Sequence, residues 1–365
     1  FNAKSFKRKD GNLQIRVKKK SKLPVPFKLQ TYSENGDVKS YWFETEAKKT
    51  DEYYEVPDKG IYKIEVNEKI LRIIEETGFT PSSVAQDLKR NRTNLIGVII
   101  PKISSFSVAQ VVDGISLELN KRNFSILLAN TNNNAEEELK YLKIFQEKRA
   151  NGILILGTEI SEEHKNLIKS SSIPVIVIGQ NVSEAGIPCV VQQEKEAAYD
   201  ITRYLTDNNH KRIAYIGTDI EDFAVRNERK AGFLKALADS NIYFDEKCTY
   251  YSGFSSDTGY RGIKKLLKEF PDLTAVFCAT GTMATGAVNA LLESGAGVPE
   301  NVSVTGMGST NYGINTLKIT SVIYDYVKTG SEGAKMLLNI LDNKTKSEKI
   351  SVPYRFFRGN TVKKI

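Results

Sequence analysis

From residue 95 onwards, short apolar runs alternate with longer segments in which apolar residues recur at helical spacing. The two periodicities predict buried strands separated by helices. The predicted strands are Leu95–Ile100, Ser125–Ala129, Gly152–Leu156, Val175–Ile178, Cys189–Val191, Arg212–Gly217, Thr249–Ser252, Ala275–Cys278, Val302–Thr305 and Thr320–Tyr324. Because a parallel crossover needs about a dozen residues or more, strands with helices of this length between them predict parallel sheets.

The alternation falls into two series that begin alike. Leu95-Ile-Gly-Val-Ile-Ile100 opens the first series, and Arg212-Ile-Ala-Tyr-Ile-Gly217 opens the second. Two similar α/β lobes with a cleft between them follow from this repetition. Open parallel sheets bind ligands beyond the carboxyl ends of their strands, so we expect a ligand site in the cleft.

Composition limits the class of protein. A chain of 365 residues is long enough for two or three domains, and 40% apolar with 26% charged residues is ordinary for a globular protein. No apolar run is long enough to span a membrane, and no signal peptide opens the chain. The three cysteines are widely spaced within or beside apolar runs, which favours reduced core residues in a cytoplasmic protein.

Positive charge is concentrated at the N-terminus. Residues 1–28 contain ten Lys or Arg and one Asp, whereas the other 337 residues contain 42 basic and 43 acidic residues. A block of this kind is typical of a solvated or disordered arm. It could also attract nucleic acid without reading its sequence.

Residues 25–78 give two local signals. Val25–Tyr32 and Val38–Phe43 are rich in aromatic and β-branched residues and flank an Asn-Gly turn, which predicts a β-hairpin. Further on, apolar residues suit one face of a helix within residues 61–78 that Gly78 ends. These residues are Ile64, Ile70, Leu71, Ile73 and Ile74.

Residues 75–101 carry a resemblance to a known family. Glu75-Glu-Thr-Gly-Phe-Thr-Pro81 is followed by Ser-Ser-Val-Ala-Gln-Asp-Leu88, a basic tract and the strand Leu95–Ile100. This order resembles the junction between the DNA-binding headpiece and the sugar-sensing core of the lac repressor family, and the resemblance covers about three quarters of the chain. The helix-turn-helix of that family has no counterpart in Thr45–Pro57, which lacks the helical spacing and the Gly-Val-Ser turn.

The resemblance implies a periplasmic-binding-protein-like core of two doubly wound parallel sheets. It divides the chain into an unassigned basic and hairpin-like segment, a remnant headpiece helix with a hinge helix, and two lobes. The corresponding residues are 1–60; 61–94; 95–192 with about 322–340 for lobe one; and 193–321 with about 341–365 for lobe two.

A hinge helix over Pro81–Leu88 is implied by the same resemblance. Such a helix is too short to be stable alone, and in the family it folds on DNA beside its twin. Leu88, with Ala85 one turn earlier, would wedge between base pairs in the minor groove. Ser82 stands where the family usually has Asn, and Lys89, Arg90 and Arg92 would contact phosphates. The alternative is a flexible linker.

Effector contacts from lobe one are implied by a Ser-rich strand end. Ile100-Pro-Lys-Ile-Ser-Ser-Phe-Ser107 and Ala129-Asn-Thr-Asn132 resemble the trehalose and sucrose repressor branch. Hydroxyls and amides suit a sugar, so the candidates are Ser104, Ser105, Ser107 and Asn130. Capping of helices at strand ends is the competing interpretation for each of them.

Effector contacts from lobe two are implied by three further matches. Arg229 of Arg-x-x-Gly would reach the ligand from a helix start, and Phe254 would stack on a sugar face or else belong to the core. Thr280 and Ser309 lie in two motifs whose usual aspartates are replaced here, by Gly281 in the first. Glycine-rich turns at these places suit a bulky or phosphorylated ligand.

Catalysis and cofactors find no support in the sequence. Both histidines lie beside lysines in polar surroundings, and no Walker loop or Rossmann fingerprint follows a strand. We therefore expect no enzyme, metal or cofactor, but a homodimeric, sugar-responsive repressor that binds operator DNA. The alternative is a sugar-binding module that lacks specific DNA binding because its headpiece is replaced or damaged.

Overall fold

A computed structural model describes residues 94–308, 313–314, 317–343 and 349–365, together with the backbone of six strands between residues 2 and 66. The chain divides into two units, Phe1–Lys89 and Arg90–Ile365. The residues predicted to contact DNA lie outside the described residues, and their roles stay predictions. They are Ser82, Ala85, Leu88, Lys89, Arg90 and Arg92.

The N-terminal unit contains two three-stranded antiparallel sheets, with strand orders β1-β2-β5 and β4-β3-β6. Its strands are β1 (Asn2–Lys9), β2 (Asn12–Lys18), β3 (Pro26–Tyr32), β4 (Val38–Glu44), β5 (Asp51–Val56) and β6 (Lys63–Val66). The antiparallel pairing of β3 with β4 confirms the predicted hairpin.

Two sequence expectations for this unit need correction. Lys63–Val66 pairs with β3 and does not begin a helix, because the alternation in Lys-Ile-Glu-Val has the period of a strand and both apolar residues are β-branched. The rest of the predicted helix, residues 67–78, lies outside the described residues and stays a prediction. Much of the basic block also forms strands, since β1 pairs with β2 and β2 with β5. The apolar residues that alternate with polar ones in Leu13-Gln-Ile-Arg-Val17 have the strand period.

Lobe one is built on a six-stranded sheet of order β19-β11-β10-β9-β7-β8, in which every described pairing is parallel. Its strands are β7 (Leu95–Ile100), β8 (Ser125–Asn130), β9 (Gly152–Ile155), β10 (Val175–Ile178), β11 (Cys189–Gln192) and β19 (Lys349–Val352). Strands such as β7 and β9 are apolar at nearly every position because helices cover both faces of the sheet.

Lobe two is built on a second six-stranded sheet of order β13-β12-β14-β15-β18-β20. Its strands are β12 (Ile213–Thr218), β13 (Thr249–Ser252), β14 (Ala275–Cys278), β15 (Ser303–Met307), β18 (Thr320–Tyr324) and β20 (Tyr354–Phe357). Only β20 is antiparallel to its neighbour in this sheet. A two-stranded ribbon, β16 (Gly313–Ile314) with β17 (Leu317–Lys318), precedes β18.

Helices connect the strands, as the sequence predicts. In chain order they are α1 (Phe106–Asn120), α2 (Ala135–Glu147), α3 (Glu162–Lys169), α4 (Glu194–Asp207), α5 (Arg229–Asp239), α6 (Ser256–Glu269), α7 (Gly281–Glu293) and α8 (Tyr326–Leu341). A π-helical turn, Phe223–Glu228, leads into α5. In the part of the chain that the structure describes, none of the helices has the length and apolarity to cross a membrane.

Close helix packing in lobe one depends on glycines. Helices α1 and α8 pack against each other, and a Cβ at Gly330 would lie 1.9 Å from the carbonyl oxygen of Val111. The reciprocal contact places a Cβ at Gly114 at 1.9 Å from the carbonyl oxygen of Val327. The two backbones therefore approach more closely than any larger residue allows.

The chain crosses between the lobes after β11, after β18 and after β19. One sequence assignment requires correction, because residues from about 341 onwards were expected in lobe two. Lys349–Val352 instead pairs in parallel with β11 of lobe one, and only the following strand, β20, joins lobe two. A four-residue strand next to a crossover gives no signal of which sheet it completes.

Candidate functional site

The carboxyl ends of the two sheets face each other, and loops from both lobes touch there. The backbone N–H of Phe223 donates to the carbonyl oxygen of Thr158 at 3.4 Å. The Gln180 side chain donates to the same carbonyl at 2.8 Å and to the Asp222 carboxylate at 3.2 Å. Through these two hydrogen bonds, the buried Gln180 amide connects the loops after β9 and β10 to the loop after β12.

Carboxyl groups crowd this contact. Burial, and then a hydrogen bond with Glu221, raises the pKa of Glu159. Burial also raises the pKa of Asp222, although the Val225 N–H, Arg229 and Gln180 favour its charged form. Both shifts mean that the contact between the lobes favours protonated carboxyls.

A cavity of about 420 Å³ opens beside this contact and has walls from both lobes. We call it the interlobe cavity. Lobe one contributes Gln180 and Gln192, and lobe two contributes Glu194 and Phe223. Phe223 is half exposed, so the cavity offers an apolar surface among amides and carboxylates. That mixture is typical of small-molecule sites.

Arg229 is the centre of a buried charged network behind this cavity. Its Nε donates to Glu194 Oε2 at 2.7 Å, its Nη2 donates to Glu194 Oε1 at 3.0 Å, and its Nη1 donates to the carbonyl oxygen of Ala279 at 2.5 Å. The Tyr324 hydroxyl donates to the same carboxylate at 2.5 Å. The guanidinium is thus held by a bidentate fork.

The pKa shifts in this network have clear causes. Burial opposes the charge of Arg229, but the Glu194 carboxylate together with Tyr324 and Tyr326 outweighs burial and raises the arginine pKa. Burial and the same carboxylate raise the pKa of Tyr324. The guanidinium therefore stays charged and the tyrosine stays protonated at neutral pH.

The lobe-one candidates lie together at the ends of β7 and β8. The amide of Asn130 accepts from the Ile103 N–H at 2.9 Å and so holds the loop that carries the serines. The hydroxyls of Ser105 and Ser107 are 3.1 Å apart, and Ser104 is exposed. Ser105 precedes α1 but makes no side-chain capping bond. These hydroxyls therefore have few internal partners.

The lobe-two candidates are less available. Thr280 caps α7, because its hydroxyl accepts from the Met283 N–H at 3.2 Å. Phe254 is half buried against the core of lobe two, and Ser309 lies outside the described residues. None of the seven described effector candidates lines the interlobe cavity, so their roles stay predictions.

Sequence reasoning missed Glu194, Tyr324, Gln180 and Asp222. Each lies within two residues of a strand end or in the loop that follows one. Glu194 is the most detectable of them, because a carboxylate two residues after the buried strand Cys189–Gln192 needs a partner. The long-range pairing with Arg229, by contrast, has no sequence signal.

A second cavity, of about 580 Å³, lies entirely within lobe two, and we call it the lobe-two cavity. It is formed where β12 and β13 end near the π-helical turn and α5. Its lining residues are Thr218, Asp219, Arg226, Asn227, Lys230, Ala231, Leu234 and Tyr251. None of the effector candidates within the described residues lines it.

Residues 93–360 match the family model described as periplasmic binding proteins and the sugar-binding domain of the LacI family. The chain belongs to the LacI family. Catabolite control protein A of Priestia megaterium is 29% identical over 304 residues, which cover 82% of this chain and 91% of that protein. This span exceeds the unit Arg90–Ile365, so the match includes residues before the two lobes.

Two further LacI-family regulators match this chain over most of their length. The transcriptional regulator RegA of Clostridium acetobutylicum is 32% identical over 288 residues, covering 78% of this chain and 86% of that protein. The crystal structure of the regulator CcpA of Lactococcus lactis has a TM-score of 0.68 at 28% identity and covers 74% of this chain and all of that one. These LacI-family relatives are transcriptional regulators and not enzymes, which confirms the expectation from the sequence.

Proposed function

We propose that the protein is a sugar-responsive transcriptional regulator of the repressor type, with a sugar or sugar phosphate as effector between the lobes. The observation that carries the proposal is the contact between the lobes through Gln180, Asp222 and Thr158. A ligand seated beside that contact binds both lobes and therefore favours one relative position of them over others.

The polar character of the cleft supports a carbohydrate. Lobe one offers the weakly engaged hydroxyls of Ser104, Ser105 and Ser107, and the interlobe cavity adds Gln180 and Gln192. Sugars need many directional hydrogen bonds, and amides and hydroxyls supply both donors and acceptors. A LacI-family regulator from Enterococcus faecium, 26% identical with a TM-score of 0.66, was crystallised with ribose, which supports a ligand of this size.

DNA binding is supported by residues 79–94 and by the charge of the N-terminal unit. Leu88 would enter the minor groove, and Lys89, Arg90 and Arg92 would bind phosphates. The strands β1 and β2 bring much of the basic block into one antiparallel sheet, with Lys7 opposite Gln14 and Lys9 opposite Asn12 in the register. The second candidate function, a sugar-binding module without specific DNA binding, is favoured by the absence of a recognisable helix-turn-helix from the sequence.

A homodimer is supported by an apolar edge of lobe one. Leu127 and Leu128 of the edge strand β8 and Leu117 of α1, which packs on β8, are exposed by 40%, 37% and 58%. An edge strand with exposed leucines is typical of a protein interface. The apolar helix α7, by contrast, is mostly buried inside lobe two. Replacing Leu127 and Leu128 by Asp should give a monomer by analytical ultracentrifugation if this edge is the interface.

The direct test of ligand class is a thermal-shift screen of the full chain against neutral sugars and sugar phosphates. A ligand at a hundred times its dissociation constant stabilises the folded state by about 2.7 kcal/mol. A Ser105→Ala, Ser107→Ala variant should lose most of the shift, while Ser170→Ala, an exposed serine at the end of α3, should keep it. Absence of a shift with every sugar contradicts the proposal.

DNA binding is tested by the dependence of affinity on salt. Each phosphate contact contributes a slope of about −0.9 on a log–log plot of affinity against salt for duplex DNA. Neutralising Lys18, Lys19 and Lys20 to Gln should flatten the slope. The same change at Lys264, Lys265 and Lys268 of α6 is the charge-matched control. A preference of roughly a thousandfold for one palindromic site over scrambled DNA would show specific binding, and its absence favours the second candidate function.

A further inference from the structure

Arg226 is a cation without an anionic partner at the lobe-two cavity. The sequence pattern directs attention to Arg229, but that guanidinium is buried and paired with Glu194. Arg226 lies one turn earlier, lines the cavity and is exposed. Within the described residues, no carboxylate lies within ion-pair distance of it. Arginine binds phosphate and carboxylate in a planar fork, so the group is available for an anionic ligand.

Lys230 supplies a second cation at the same cavity. Its Nζ lies 4.5 Å from the centre of the Tyr215 ring, 4.4 Å from that of Phe244 and 5.8 Å from that of Tyr251. Aromatic faces hold the ammonium in place without neutralising it. Among the described residues its carboxylate partner is Glu246, at 3.2 Å, and that carboxylate is itself 66% exposed.

Burial makes a further anion favourable for Lys230. Only 12% of its side chain is exposed, and desolvation lowers its pKa despite the pairing with Glu246. An anion inside the cavity would restore part of the stabilisation that the ammonium loses on leaving water. Arg226, Lys230 and Tyr251 all line this cavity, so the two cations share it with one aromatic ring.

The rest of the lining suits a hydroxylated ligand. Asp219 can accept hydrogen bonds from sugar hydroxyls, and the amide of Asn227 can donate or accept them. Tyr251 is 41% exposed and offers a ring face on which a sugar ring can pack. The volume of about 580 Å³ is within the range of small-molecule sites.

We infer that the lobe-two cavity is a second ligand site, distinct from the interlobe cavity, and that it binds a sugar phosphate. The phosphate lies between Arg226 and Lys230, and the sugar lies against Tyr251 with hydroxyls towards Asp219 and Asn227. The inference does not depend on an effector between the lobes, since every lining residue belongs to lobe two.

The test is calorimetric titration of the full chain with glucose 6-phosphate, inorganic phosphate and glucose. We expect binding of glucose 6-phosphate, weaker competing binding of inorganic phosphate, and no binding of glucose at this site. Arg226→Ala should weaken glucose 6-phosphate by about tenfold or more, the scale of one lost hydrogen bond between charged groups. Arg261→Ala removes an exposed arginine of α6 and should leave the affinity unchanged.

Two further variants separate binding from folding. Tyr251→Phe keeps the ring beside Lys230 and should keep most of the affinity, whereas Tyr251→Ala should lower it. Equal affinity for glucose and glucose 6-phosphate overturns the inference, as does an affinity that Arg226→Ala leaves unchanged. If a neutral sugar still stabilises the Arg226→Ala variant, the effector site between the lobes does not depend on the lobe-two cavity. The proposal of an effector between the lobes and the inference of a second site can therefore be disproved separately.

Discussion

The two faces of the cleft differ in how far their polar groups are already used. On lobe one, the hydroxyls of Ser105 and Ser107 contact each other and little else. On lobe two, Arg229, Glu194 and Tyr324 form a buried network, and Thr280 caps a helix. Lobe one therefore presents groups that a ligand can take, while lobe two uses its groups to hold the cleft in shape.

The largest expected effect tests the structural role of the lobe-two network. Glu194→Ala leaves the Arg229 guanidinium buried without its carboxylate, and loss of one partner from a buried pair costs about 3–5 kcal/mol. Urea denaturation should show this loss. Glu162→Ala, an exposed glutamate of α3, should unfold like the wild type. A Glu194→Ala variant of unchanged stability would contradict the structural role of this network.

The second prediction concerns lobe one away from the cleft, where α1 packs closely against α8. Gly330→Ala places a Cβ at 1.9 Å from the carbonyl oxygen of Val111, so α1 and α8 must move apart. Overpacking of this kind costs about 1–3 kcal/mol. Gly253→Ala meets no atom within 4 Å and is the matched control. Equal urea midpoints for the two variants would contradict the close packing.

The third prediction compares the loss of stability on removing one hydroxyl from each face of the cleft, Thr280 on lobe two and Ser105 on lobe one. Thr280→Ala removes a capping bond to the Met283 N–H and should lower the free energy of unfolding by about 1 kcal/mol. Ser105→Ala removes no capping bond and should lie within about 0.5 kcal/mol of the wild type. If Ser105→Ala proves the more destabilising of the two, the difference between the faces is lost.

The smallest expected effect is the pH dependence of the contact between the lobes. The pKa values of Glu159 and Asp222 are raised in the folded protein. Their contribution to the free energy of unfolding is therefore fully present below the ordinary carboxyl pKa and is lost as pH rises through the raised values. Glu221 and His164 face Glu159, while Arg229 and Glu194 face Asp222.

Urea denaturation measured from about pH 4.5 to 7.5 should show this loss of stability with rising pH. In the Glu159→Gln variant the dependence should be shallower, because one of the titrating carboxyls is gone. An identical slope in wild type and variant would exclude Glu159 as a source.

The sequence predicts the two lobes well because their strands are short apolar runs covered on both faces. Leu95–Ile100 and Val175–Ile178 have the predicted bounds. The sheet that a strand joins is harder to predict than the strand itself, as Lys349–Val352 shows. After a crossover, the pairing of a strand depends on where the two sheets lie. In the N-terminal unit, the start of the helix predicted within residues 61–78 is wrong, because the apolar residues of Lys63–Val66 alternate with the period of a strand.

Site residues are harder to predict than strands. Arg229 is found from its motif, but its partner Glu194 lies 35 positions earlier and becomes visible only when α4 and α5 pack together. Arg226 gives no motif signal, because what distinguishes it is a missing partner. Burial and pairing are properties of the fold, whereas the motif records only residue type and spacing.

The most direct test of the central claim is fluorescence anisotropy of the full chain on DNA from upstream of its own gene. The titration is repeated with the neutral sugar or sugar phosphate that gives the largest thermal shift. Coupling between an effector and DNA is typically 5–150-fold in affinity, and linkage requires that DNA change the affinity for the effector by the same factor. We predict a change of at least about fivefold in the dissociation constant for DNA. An effector that binds the two lobes and leaves the affinity for DNA unchanged would contradict the account.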